Sequence, residues 1–170
     1  MDGRMLHTRS PLMLFALLTL LAAEAGAQAR ALAPEELATR SQIIAVGTVT
    51  ETRSEWNADH TRIQTVVTLA VDQYWKGTDA GATLTLIVPG GEVGETGELY
   101  SHTARFTPDE TVLIFAGRDE AGHLRVTAGD RGKLVIHNDR TTGEPLVSEG
   151  VTLEVLKRRV LTALRAAEGR

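Results

Sequence analysis

Arg62-Ile63-Gln64-Thr65-Val66-Val67-Thr68-Leu69-Ala70-Val71-Asp72 decides the fold class of this chain. Ile63, Thr65, Val67, Leu69 and Val71 alternate with Arg62, Gln64, Val66, Thr68, Ala70 and Asp72, and a sustained period of two predicts a strand with one face in a core. Upstream, Ile43-Ile44-Ala45-Val46-Gly47-Thr48-Val49-Thr50 is a β-rich run, followed by a polar stretch from Glu51 to Thr61. Downstream, Thr83 to Val88 puts Leu84, Leu86 and Val88 on one face and stops at Pro89-Gly90-Gly91. Glu98 to Thr103, Thr111 to Ala116, Leu124 to Thr127 and Lys133 to His137 are further candidate strands, with turns at Gly117-Arg118-Asp119 and Gly129-Asp130-Arg131-Gly132. Short strands at this spacing predict a mainly β domain, a small barrel or sandwich.

Helices are expected at both ends of it. Pro34 suits a first helical position, Glu35 and Glu36 suit the positive end of a helix dipole, and residues 28–40 are expected to hold a short helix ending near Arg40. The barrel is expected over 41–138, then a linker over 139–150, rich in Gly, Thr and charge. A final helix is expected over 151–170. Thr152 can cap it, and Leu153, Leu156, Val160, Leu161 and Leu164 fall near one face that should dock on the barrel.

The first residues carry an address. Arg4, His7 and Arg9 precede an apolar run from Leu12 to Ala23 interrupted by Thr19, and Ala25 and Ala27 are small residues of the kind a signal peptidase accommodates. Residues 1–27 are therefore expected to be a cleavable signal peptide, the run being shorter than the roughly 20 apolar residues that span a bilayer. The mature protein is expected in the periplasm or outside the cell, with no transmembrane span. The sequence contains no Cys, so neither disulfides nor a lipobox can contribute, and stability must come from burial. The whole chain carries 18 basic and 22 acidic residues, and losing Arg4, Arg9, Asp2 and Glu24 with the leader keeps the net charge at −4. That balance argues against nucleic acid as a partner.

Catalytic and ligand chemistry is sparse in the pattern. There is no Gly-x-Ser-x-Gly elbow, and His60, His102, His123 and His137 are each isolated in sequence, with no i, i+4 pair of the kind a zinc protease needs. The expectation is no enzyme and no cofactor. Pro89-Gly90-Gly91-Glu92-Val93-Gly94-Glu95 is Gly-rich and follows a strand, but Glu92 and Glu95 would repel a phosphate and a strand rather than a helix is expected after it. It reads as a flexible loop with positive φ at several glycines, and, as a candidate site, as a partner-contact loop. Tyr74-Trp75-Lys76-Gly77 closes the long strand, with Trp75 expected in the core.

The order of these features resembles the oligonucleotide/oligosaccharide-binding (OB) barrel of netrin-type modules and tissue inhibitors of metalloproteinases. The likeness covers about Ser41 to Ile136. It consists of the opening strand ending in Gly47-x-Val49, the long strand leading to Tyr74-Trp75-Lys76-Gly77, and Val112-Leu113-Ile114-Phe115-Ala116-Gly117 followed by a hairpin with Gly122-His123-Leu124-Arg125-Val126. The resemblance implies a five-stranded Greek-key barrel that binds proteins, with an exported protease as the candidate partner class. It does not carry over the inhibitory mechanism, which needs an N-terminal Cys. A carbohydrate- or small-ligand-binding barrel, or an enzyme whose site gathers residues distant in sequence such as His60, His102, Glu92 and Glu95, is the alternative.

Overall fold

The computed structural model describes residues 32–77, 81–147 and 150–169. The leader read at 1–27 and the expected mature start at Gln28 lie outside them. Helix α1 spans Pro34–Arg40, with Pro34 at its start and Glu35 and Glu36 in its first turn. The strands are β1 (Ile43–Trp56), β2 (Ile63–Lys76), β3 (Thr83–Pro89), β4 (Gly91–Val93), β5 (Thr96–Glu98), β6 (Thr111–Arg118), β7 (Leu124–Val126), β8 (Lys133–Val135), β9 (His137–Asn138), β10 (Pro145–Val147) and β11 (Val151–Thr152). Helix α2 runs over Leu153–Glu168, and Gly129–Gly132 forms a 3-10 turn.

The protein is mainly β, and its principal sheet closes on itself. The strand order is β1-β2-β3-β7-β6, with β6 pairing back onto β1 and β8 added beside β6. All these pairings are antiparallel except β3 with β7, which meet in parallel at Leu86 and Leu124. Register shifts at three points along β1 kink it, as β-bulges do. Its first half pairs with β2 on one side and β6 on the other.

Two cores explain why Ile43–Val46 of β1 and Val112–Ala116 of β6 are apolar at every position while β2 alternates. Ile43, Ala45 and Val49 of β1 and Val112, Ile114 and Ala116 of β6 point into the ring with Val67, Leu69, Leu84 and Leu86. Their neighbours Ile44, Val46, Leu113 and Phe115 point outward, under α1, α2 and the small sheet β9-β10-β11. A strand covered on both faces reads as a continuous hydrophobic run. β2 has one wet face over most of its length, so the period of two survives. Trp75 is buried in the outer core, as expected.

α2 docks as its pattern predicts. Thr152 accepts a hydrogen bond from the Val155 N–H, and Leu156 and Val160 are buried against the outer core. Arg159 Nε donates to Glu35 at 2.6 Å, joining the two helices. Among the described residues no helix is long and apolar enough to cross a membrane.

Three expectations are corrected. The polar stretch after Thr50 is strand as far as Trp56, because β2 continues to pair with it. Glu98 to Thr103 is not a strand: β5 ends at Glu98, and His102 adopts φ +57°, a left-handed conformation that breaks an extended run. The supposed linker contains β10, because Leu146 pairs with Thr152 on one side and His137 on the other and Val147 enters the outer core.

Lys76-Gly77 has a structural task. The Lys76 ammonium donates to the carbonyls of Ala38 at 3.0 Å and Ser41 at 2.5 Å, satisfying acceptors at the C-terminal end of α1 that the helix itself cannot. Gly77 turns with φ +74°, and a Cβ there would lie 2.7 Å from the Gln42 carbonyl oxygen. Lys76→Met keeps the stem but leaves those partly buried carbonyls without the cation. It is expected to cost about 1 to 3 kcal/mol in urea unfolding, and an unchanged midpoint would show that the cap contributes nothing.

Candidate functional site

Past Thr48, β1 leaves β6 and continues as the edge of a three-stranded ribbon, β1-β2-β3, in which β2 pairs with β3 from Gln64 to Ala70. On the face continuous with the ring interior, Thr52, Ser54 and Thr65 replace the apolar side chains found deeper in. Ser54 lies opposite Thr65 in the ladder, their hydroxyls 3.0 Å apart, and Thr65 Oγ1 donates to the Gly90 carbonyl at 2.7 Å. The ribbon therefore begins as core and ends as a hydroxyl-lined floor.

The Gly-rich segment is not the flexible loop expected. β4 and β5 form an ordered hairpin, pairing Gly91 with Glu98, Glu92 with Gly97 and Val93 with Thr96. Gly94 sits at the first turn position with φ +61°, as the Gly-first two-residue hairpin turn requires. The positive φ expected at several glycines is present, at +89° for Gly90 and +136° for Gly91. Gly91 crosses directly over the floor: a Cβ on it would stand 2.3 Å from Ser54 Oγ and 2.6 Å from Thr65 Oγ1. Only a residue without a side chain lets the hairpin lie this close.

Between the hairpin, the ribbon and the segment from Leu99 to Phe106 is an open groove of about 640 Å³. Its deep end is apolar, at Val67 and Val88. Glu92 and Glu98 of the hairpin line it, as do Leu99, Tyr100, Arg105 and Phe106 of the segment that follows. Leu99 is 79% exposed, the most exposed large apolar side chain among the described residues. The Tyr100 hydroxyl donates to Glu98 Oε2 at 2.8 Å, and this bond to a carboxylate, with some desolvation, raises the phenol above its ordinary pKa. A smaller apolar cavity of about 210 Å³ lies on the far side of Ala104, between the end of β3 and β7.

Lys133 fixes Arg105 and Phe106. Its ammonium is 2.6 Å from Glu110, donates to the Arg105 carbonyl, and stands 4.9 Å above the centre of the Phe106 ring, a cation–π arrangement. The main chain adds bonds from Asp109 N–H to the Val49 carbonyl and from Asp130 N–H to the His102 carbonyl, both 2.9 Å. These bonds anchor the segment after the hairpin at His102, Arg105 and Asp109.

Of the residues singled out in sequence, Pro89, Gly90, Gly91 and Glu92 line the groove, whereas Val93, Gly94 and Glu95 form the outer part of the hairpin. The histidines go elsewhere. His60 is in the β1–β2 turn, His102 stands 3.9 Å from Asp130, His123 stands 3.7 Å from Asp119, and His137 is on β9. No hydrogen bond or ion pair among the described residues joins His60, His102, Glu92 and Glu95, and no group of three or more acidic or His side chains is placed to hold a metal ion.

Sequence reasoning missed Thr52, Ser54 and Thr65 as site residues. The signal was present: from Glu51 to Trp56 charged residues at 51, 53 and 55 alternate with Thr52, Ser54 and Trp56, a period of two written without apolar letters. The chain matches none of the protein-family models and none of the curated proteins with which it was compared.

Proposed function

We propose that this is an exported, non-enzymatic interaction module on an OB-like barrel of netrin type, and that its groove takes an extended segment of a partner protein. The groove carries the reading. A floor of hydroxyls, with carboxylates, a cation and apolar contacts around it, suits a main chain with its alternating donors and acceptors. The closed order β1-β2-β3-β7-β6 with one parallel contact supports the OB-like assignment. An exported protease is the partner class to test first. With no Cys in the chain, a disulfide-tethered N-terminus is not the means of contact.

Linear peptides selected on the protein from a random library should shift the amide resonances of Thr52, Ser54, Thr65 and Gly91. They should bind Leu99→Asp about tenfold or more weakly, the scale expected for losing one buried leucine contact. Binders that map to another face, or a library yielding none, would overturn the reading. The juxtaposition of Tyr100 and Phe106 with hydroxyls and carboxylates favours a saccharide as the second reading, which a glycan shifting the same resonances would establish.

A further inference from the structure

Past Thr48, β1 parts from β6 and leaves a strand edge uncovered among the described residues. Val49 makes the last bonds on that side, accepting from the Asp109 N–H and donating to the Glu110 carbonyl. From Glu51 to Trp56 the only strand paired with β1 among the described residues is β2. The phase of this ladder is fixed at the turn, where the Asn57 N–H donates to the Arg62 carbonyl. Bonded and non-bonded pairs alternate along an antiparallel ladder, so the main-chain groups of Glu51, Arg53 and Glu55 face β2. Those of Thr52, Ser54 and Trp56 turn outward. The Ile63 carbonyl, which accepts from the Gly90 N–H, gives the same phase from the other side of β2. Such an edge is a template for another strand.

We propose that the strand it takes is the same edge of a second copy, running antiparallel about a two-fold axis through Ser54. The argument is one of register. Only Thr52, Ser54 and Trp56 present free main-chain groups, so they must pair among themselves. Centred on Ser54, Thr52 bonds to Trp56 of the copy, and Arg53 stands opposite Glu55 of the copy at a non-bonded position, where cross-strand side chains come closest. The symmetry makes that contact twice. Centred on Arg53 instead, Arg53 would face itself and Glu51 would face Glu55, setting like charges against each other.

Arg53 and Glu55 are available for the exchange. Within one chain they form an ion pair at 2.7 Å with the Arg53 side chain 61% and the Glu55 side chain 33% exposed, and such pairs are worth little. The interface is small, so association is weak and concentration-dependent. It leaves the side chains of Thr52 and Ser54 in the groove, and so does not depend on what the groove binds.

Sedimentation velocity up to about 1 mM protein should show a monomer–dimer equilibrium. Arg53→Glu and Glu55→Arg should each weaken it about tenfold or more, since two attractive pairs become two repulsive ones. An equimolar mixture of the two variants should recover association, because the new carboxylate at 53 of one chain then faces the new guanidinium at 55 of the other. Neither variant has the pair within its own chain, so recovery cannot come from local repair. A wild-type monomer throughout, a mixture no more associated than either variant, or a dimer that both variants leave intact would overturn the proposal. So would an edge that stays monomeric and instead binds a foreign extended peptide.

Discussion

Gly91→Val is expected to lower the unfolding free energy by about 3 kcal/mol or more and to abolish binding in the groove. Two costs combine. The residue holds φ +136°, where a β-branched side chain is strained by about 1 to 3 kcal/mol. Its Cβ would also overlap Ser54 Oγ at 2.3 Å, with Ser54 Cβ at 2.9 Å behind it, and overpacking of this kind costs about 1 to 3 kcal/mol more. Shortening Ser54 to Ala would relieve only part of the overlap. Gly94→Ala is the control. Gly94 has φ +61° but open space around it, so only the backbone term applies, about 1 to 2 kcal/mol. Urea unfolding of both variants separates conformational strain from collision. Equal losses at the two positions would mean that the hairpin does not rest on the Ser54-Thr65 floor.

Truncation after Asn138 is expected to have the larger effect and to remove cooperative folding altogether. It deletes β10, β11 and α2, and with them the buried side chains of Val147, Leu156 and Val160. Each contributes roughly 1.5 to 3 kcal/mol by leaving water. Their loss also exposes Leu113 and Phe115, which are fully buried on the outer face of β6, and Ile44 beside them. The total rivals the about 5 to 15 kcal/mol that stabilises a whole domain. Circular dichroism with heating checks it, and a truncated protein that still melts sharply within a few degrees of the intact one would show that the ring is self-sufficient.

How much of this was legible in sequence depended on what each residue faces. β2, β3 and α2 were readable because apolar side chains repeat there at the period of the element, β6 because it is an unbroken apolar run, and Pro34 and Thr152 mark helix starts with their own chemistry. The second half of β1 was not, since Thr52 and Ser54 look into a groove and the core leaves no imprint on them. Leu99 was taken into a strand that ends one residue before it, while the left-handed His102 stands where its carbonyl accepts from the Asp130 N–H at 2.9 Å, a contact between residues far apart in sequence. The Pro-Gly-Gly segment announced positive φ but not the pair of hydroxyls over which Gly91 lies. The closing of the sheet on itself is likewise a long-range fact, carried by pairings such as Ile43 with Ala116.

The parallel meeting of β3 and β7 at Leu86 and Leu124 gives the molecule a mechanical bias. Every other joint of the ring is a ladder of several residues, whereas this one is a single bridge helped by a 3.4 Å contact from Arg125 to the Ile87 carbonyl. A closed hoop yields first at its shortest weld, and local opening concentrates where the fewest bonds must break together. β3 leads from that weld straight through Val88 and Pro89 into the groove. Opening of the closed sheet is therefore expected to begin at β3, beside the groove, before it reaches β6 and the first half of β1, which are covered on both faces.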